Sequence, residues 1–128
     1  MLTKKHFLRF KWLVKRALSL PLGLLSETRG IRILAYHRVT DEVTNELAVS
    51  VATFLTQMEW LMKRHRVITL DEAVNLLLQD KTINESYTVL TFDDGYADFY
   101  DNVYPILSRL GLPATVFVPL GYVSTNRV

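Results

Sequence analysis

The sequence predicts an α/β domain built on a parallel sheet, and three observations predict it. Apolar, β-branched runs alternate with stretches whose apolar residues recur at helical spacing. The run "YTVLTF" at 87–92 is apolar almost without interruption, as in a strand covered on both faces. Strand, short helix and strand then follow within 87–118 at the spacing of a right-handed βαβ unit. With 128 residues, 49% of them hydrophobic, the chain has the length and composition of one globular domain.

Residues 1–30 stand apart as a basic segment. They hold seven Lys and Arg against Glu27 alone, a net +6, so the remaining chain carries −4 within the overall +2. A net positive charge found only in one terminal segment of an otherwise acidic chain argues against nucleic-acid binding. A helical reading gathers Phe7, Phe10, Leu13, Val14, Ala17 and Leu18 on one side, which makes a basic amphipathic helix. Three readings of it stay open: packing on its own domain, contact with an anionic membrane surface through residues 4–20, or a degenerate export signal. Such a segment fits a cell-envelope location or the cytoplasmic face of a membrane, and it is weak as an export signal because Leu24-Leu25-Ser26 is not a small-x-small cleavage site. Lys and Arg interrupt every apolar run there, so none is long enough to cross a bilayer. The chain has no cysteine, which excludes disulfides, thiolate metal sites and a cysteine nucleophile.

Residues 31–39, "IRILAYHRV", read as a short buried strand whose polar end is His37-Arg38. Ser50 is placed to cap a helix in which Phe54, Met58, Leu61 and Met62 recur at helical spacing. Lys63, Arg64 and His65 crowd its last turn, where solvated cations favour the helix dipole. Thr69 and Glu72 fit a capping box that opens a helix through Ala73, Val74, Leu77 and Leu78. A polar connector at 81–86 leads into the strand at 87–92. Asn102 is expected to cap a two-turn helix that admits Pro105 in its first turn and stops at Gly111. A third buried strand is expected at 114–118.

This order puts Asp93 and Asp94 at the carboxyl end of a parallel strand, the edge where ligands bind in open sheets and in barrels. Adjacent carboxylates are costly to ionise together unless a cation or hydrogen-bond donors compensate. A divalent metal does so when one Asp ligates it and the other takes a proton from its bound water. The plain alternative is a turn, and a bare Asp-Asp-Gly favours it. A haloacid-dehalogenase nucleophile would stand at position 92, which is Phe. A response-regulator receiver needs a further Asp and a Lys at later strand ends, which the sequence stops before reaching, and a calcium loop needs oxygen ligands at alternate positions before its Gly.

The stretch "TVLTFDDGYADFYDNVYPILSRLGLPATVFVPLGYV", preceded by "ILAYHRV", "FLTQMEWL" and "VITLDEAVNLLL", resembles the polysaccharide deacetylases, the NodB-homology domains of carbohydrate esterase family 4. The resemblance covers about residues 31–123 and turns the reading away from a plain turn. It implies an incomplete distorted (β/α) barrel of the NodB-homology, glycoside hydrolase/deacetylase type at 31–128, after the basic segment 1–30. It implies removal of N-acetyl, or O-acetyl, groups from a polysaccharide of N-acetylated sugars, with a divalent metal, usually zinc, as cofactor. On that resemblance Asp93 matches the general base and Asp94 the metal-ligating carboxylate. His37 is a candidate pocket residue, the equal alternative being a histidine that closes the strand end. The family's His-x-x-x-His motif, its general-acid His and its substrate-lining Arg and Trp have no counterpart here. The expectation is therefore the N-terminal part of such an enzyme, inactive by itself, the alternative being a non-catalytic remnant that binds saccharide or a partner protein.

Overall fold

A computed structural model describes residues 29–42, 46–79 and 82–123. The basic amphipathic helix expected within residues 1–28 lies outside them. In chain order the elements are β1 (Gly30–Tyr36), β2 (Arg38–Val39), β3 (Ala48–Val49), α1 (Val51–Arg64), β4 (Arg66–Val67), α2 (Leu70–Leu78), β5 (Ser86–Phe92), a π-helical turn (Phe99–Val103), α3 (Tyr104–Leu110), β6 (Thr115–Val116) and a closing 3-10 turn (Leu120–Tyr122).

Strand β5 is the axis of the sheet, and every partner lies parallel to it. Strand β1 runs along one side for its whole length, from Gly30 opposite Ser86 to Tyr36 opposite Phe92. The other side is shared: β4 pairs with the first half through Tyr87 and Thr88, and β6 with the last half through Thr91 and Phe92. Thr88 through Phe92 are all buried, as the continuous apolar run predicts for a central parallel strand.

Alternation along β5 divides the core. Leu90 and Phe92 face one layer, where Phe54, Met58 and Leu61 of α1 meet Val103, Ile106 and Leu107. Val89 faces the other, against Ile68 and Ala73 of the α2 side. Phe92 gathers an aromatic cluster, with ring centroids at 5.3 Å to Tyr36, 6.0 Å to Phe54 and 4.9 Å to Phe99. That packing fixes the level at which β1 and β5 both end.

Two of the three predicted helix caps form. The Ser50 hydroxyl accepts from the Thr53 amide, and Thr69 with Glu72 completes the capping box. Pro105 enters the first turn of α3, and Gly111 ends it at φ 65, where a side chain would be strained.

Five expectations change. The strand expected at 31–39 breaks at His37, and Arg38–Val39 leaves to pair with β3, because the chain turns off the sheet there. It is also less buried than expected, with Ile33 59% exposed, since among the described residues β1 pairs only with β5. Met62 points outward at 47% exposure while Phe54, Met58 and Leu61 carry the buried face of α1. Asn102 caps nothing: α3 starts from Val103 without a side-chain cap, and the Asn102 amide instead donates to the Val39 carbonyl at 2.9 Å. The third strand shrinks from 114–118 to Thr115–Val116, with Phe117 and Val118 about half exposed. The short strand β4 escapes the sequence reading, because two residues carry no period.

Candidate active site at the carboxyl edge of the sheet

Because β1 and β5 are in register and end at the same level, the residues after them emerge side by side. Those residues are His37 and Asp93. The Asp93 amide donates to the Tyr36 carbonyl at 2.9 Å and so extends the ladder one step past the strand end. His37 Nε2 then lies 3.9 Å from Asp93 Oδ2, with both side chains about a third exposed. This distance is too long for a hydrogen bond and short enough for a charge to be felt. Residues 56 apart in the chain thus share one rim, and the candidate pocket residue stands beside the candidate base.

Asp94 departs from the strand altogether. Its φ of 67 makes it the one non-glycine with positive φ among the described residues, and Gly95 follows at φ 58. Asp tolerates this region better than most L residues, yet it is strained there. A side chain on Gly95 would also meet the Val118 methyls at 3.4 Å, so the turn rests against the segment after β6. The turn holds Asp94 exposed to solvent and Asp93 half-buried beside His37.

Behind this rim lies a connection the sequence reading missed. Arg38 Nε donates to Asp98 Oδ2 at 2.7 Å, and Asp98 is only 9% exposed. The same guanidinium sits 5.0 Å over the Tyr96 ring. Asp98 Oδ1 is buried with no partner, so Arg38 is the main compensation for that carboxylate. With the bond from Asn102 to Val39, segment 37–39 is tied at two points to segment 96–102. The only hint in the sequence is an acidic residue closely following the Asp-Asp pair, and nothing in its spacing points to an arginine 60 positions earlier.

Among the described residues no three His, Cys, Asp or Glu side chains come together as a cation site. A catalytic zinc takes three protein ligands plus water, so the described residues by themselves do not fit one. Asp94 offers one donor.

The other histidines lie elsewhere. His6 is outside the described residues. His65 does not serve as the solvated helix-end charge expected of it: it caps α1 at the sheet, its Nδ1 3.0 Å from the Thr88 hydroxyl and 3.4 Å from Arg32. Burial, then Arg32 and Arg64, hold its imidazole below the usual histidine pKa. No described helix is long and apolar enough to cross a membrane.

Comparison with known proteins agrees with the sequence resemblance. Residues 80–127 match the family described as polysaccharide deacetylase. YxkH of Bacillus subtilis (strain 168), a protein assigned to the polysaccharide deacetylases, is 39% identical over 87 residues, 67% of this chain and 30% of that protein. The poly-beta-1,6-N-acetyl-D-glucosamine N-deacetylase of Escherichia coli (strain K12) is 34% identical over 95 residues, 72% of this chain and 14% of that one. The solved structure of IcaB from Ammonifex degensii superposes with a TM-score of 0.70 at 29% identity, over 78% of this chain and 42% of that chain. The chain thus spans less than half the length of each of these three proteins.

Proposed function

On the premise that this chain belongs with the polysaccharide deacetylases, we propose that it carries the base-bearing edge of an enzyme that hydrolyses the acetamide groups of an N-acetylglucosamine polymer. The observation that carries this reading is Asp94 held at a strained φ of 67 directly after Asp93, at the carboxyl edge of a parallel sheet. Strain of this kind, about 1–3 kcal/mol, persists where a site requires it. The poly-beta-1,6-N-acetyl-D-glucosamine N-deacetylase among the relatives supports this substrate class.

In this reading Asp93 is the general base. It takes a proton from the water that attacks the acetamide carbonyl, a proton is delivered to the departing nitrogen as the carbon–nitrogen bond breaks, and acetate and the free sugar amine are the products. His37 Nε2 stands 3.9 Å from the Asp93 carboxylate on the same rim. Asp94 would offer one carboxylate donor to a divalent cation, zinc by the family resemblance. When bound, such a cation supplies Lewis-acid polarisation. Contact of residues 4–20 with an anionic membrane surface would place the site at the cell envelope.

A second reading, a saccharide-binding module without catalysis, is favoured by the lack of a three-ligand cluster among the described residues. Zinc calorimetry on the full chain, beside a free-amine assay on N-acetylglucosamine oligomers, separates the two. Zinc uptake lost in Asp94→Ala is the outcome expected of the enzyme, and any amine release that accompanies it is expected to be lost in Asp93→Asn. Oligomer binding with neither zinc uptake nor amine release sinks the catalytic reading and leaves the module.

A further inference from the structure

The deacetylase reading assigns roles to Asp93, Asp94 and His37 and leaves the Arg38–Asp98 pair without one. The pair is unusual for its place. Asp98 is a nearly buried carboxylate with one oxygen unpartnered, which is an expensive arrangement for a surface loop to keep. It lies five residues after Asp93, and its partner follows His37 directly. Strand β1 ends at Tyr36, so no ladder holds His37 itself. What holds the segment 37–39 is its pairing with β3, the Asn102 bond to Val39 and the 2.7 Å contact of Arg38 with Asp98. Arg38, which follows His37 directly, carries both the first pairing with β3 and the one side-chain tie in this set to the loop after β5 that is charged.

From this we infer that Arg38 and Asp98 are positioning residues: their ion pair clamps the end of β1 to the loop after β5 and thereby keeps the His37 imidazole against Asp93. The guanidinium fork makes the clamp directional, one edge on Asp98 and its face over the Tyr96 ring, which a point-charge ammonium would not reproduce. The clamp concerns the geometry of His37 and Asp93 and rests on the deacetylase reading only for the purpose it serves.

The test needs neither substrate nor metal, so it can fail without the deacetylase reading failing, and the reverse. The ring nitrogens of His37 are followed by 15N NMR in the full chain at one fixed pH. Asp93→Asn sets the reference for an imidazole that has lost its carboxylate. The expected result is that Asp98→Asn moves the His37 signals toward that reference while the backbone amides of β5 stay in place. Arg38→Lys, which keeps the charge and the compensation of Asp98, is expected to move them the same way by a smaller amount and covers the case in which Asp98→Asn does not fold. His37 signals that stay at their wild-type positions in a folded variant of either residue overturn the inference. So does an Asp93→Asn variant that leaves them unmoved, since the contact being clamped would then be absent.

Discussion

Arg38 Nε and Asp98 Oδ2, 2.7 Å apart and 60 residues apart in sequence, join the two loops that present His37 and Asp93. The two partners are not buried alike: the Arg38 side chain is 33% exposed and that of Asp98 only 9%. Removing one therefore differs from removing the other.

Arg38→Ala strands a buried carboxylate and is expected to cost about 3 kcal/mol, whereas Asp98→Ala lets the arginine regain water and is expected to cost about 1–2 kcal/mol. Urea titrations of the two variants measure this difference. Equal costs, or the reverse order, would show that Asp98 is solvated in solution.

Asp94→Gly relieves a left-handed L residue at φ 67 and is expected to raise stability by about 0.5–1 kcal/mol while removing the carboxylate proposed to ligate a cation. Thermal melts and zinc calorimetry on the same variant read the two effects. A loss of stability in Asp94→Gly would mean that the Asp94 side chain anchors the turn.

Asn102 gives a third test because sequence and structure disagree about it. A helix cap would welcome Asp at this position, but a side chain that donates to the Val39 carbonyl cannot be replaced by an acceptor. Asn102→Asp is expected to destabilise by about 1–3 kcal/mol, read from a chemical melt. Neutral or improved stability would restore the capping role.

His65 predicts how stability follows pH. Its folded pKa is lowered, by burial first and then by Arg32 and Arg64, so the unfolded chain binds the proton more readily than the folded one. The contribution is present in full above the unfolded value of 6.5 and is lost as pH falls through the lowered folded value. His65→Gln, which keeps a polar partner for Thr88, should flatten that part of the profile. A variant whose melting point falls with acid as steeply as the wild type's would exclude His65 as the source.

Local rules were enough for several elements. The Ser50 cap, the Thr69–Glu72 box, the Pro105 entry and the Gly111 stop each depend on residues within one or two helical turns, so sequence carries them directly. The buried strand at 87–92 was legible for the same reason: an apolar run that long has to be covered on both faces.

The carboxylate pair was legible as chemistry, and its place at a strand's carboxyl end followed from the βαβ spacing. The register was not. That Tyr36 faces Phe92, which puts His37 beside Asp93, depends on how Leu90, Phe92 and Tyr36 pack together with Phe54. The sequence by itself determined the helices with their caps, the central strand β5 and where the acids sit along the chain, because those are questions of period and neighbouring turn chemistry. Tertiary structure alone decided that β1 gives up its last residues to β3, that Asn102 bonds across the fold, and that a buried Asp98 finds Arg38. Those outcomes are settled by satisfying polar groups between distant segments, and no local pattern encodes the distance between them.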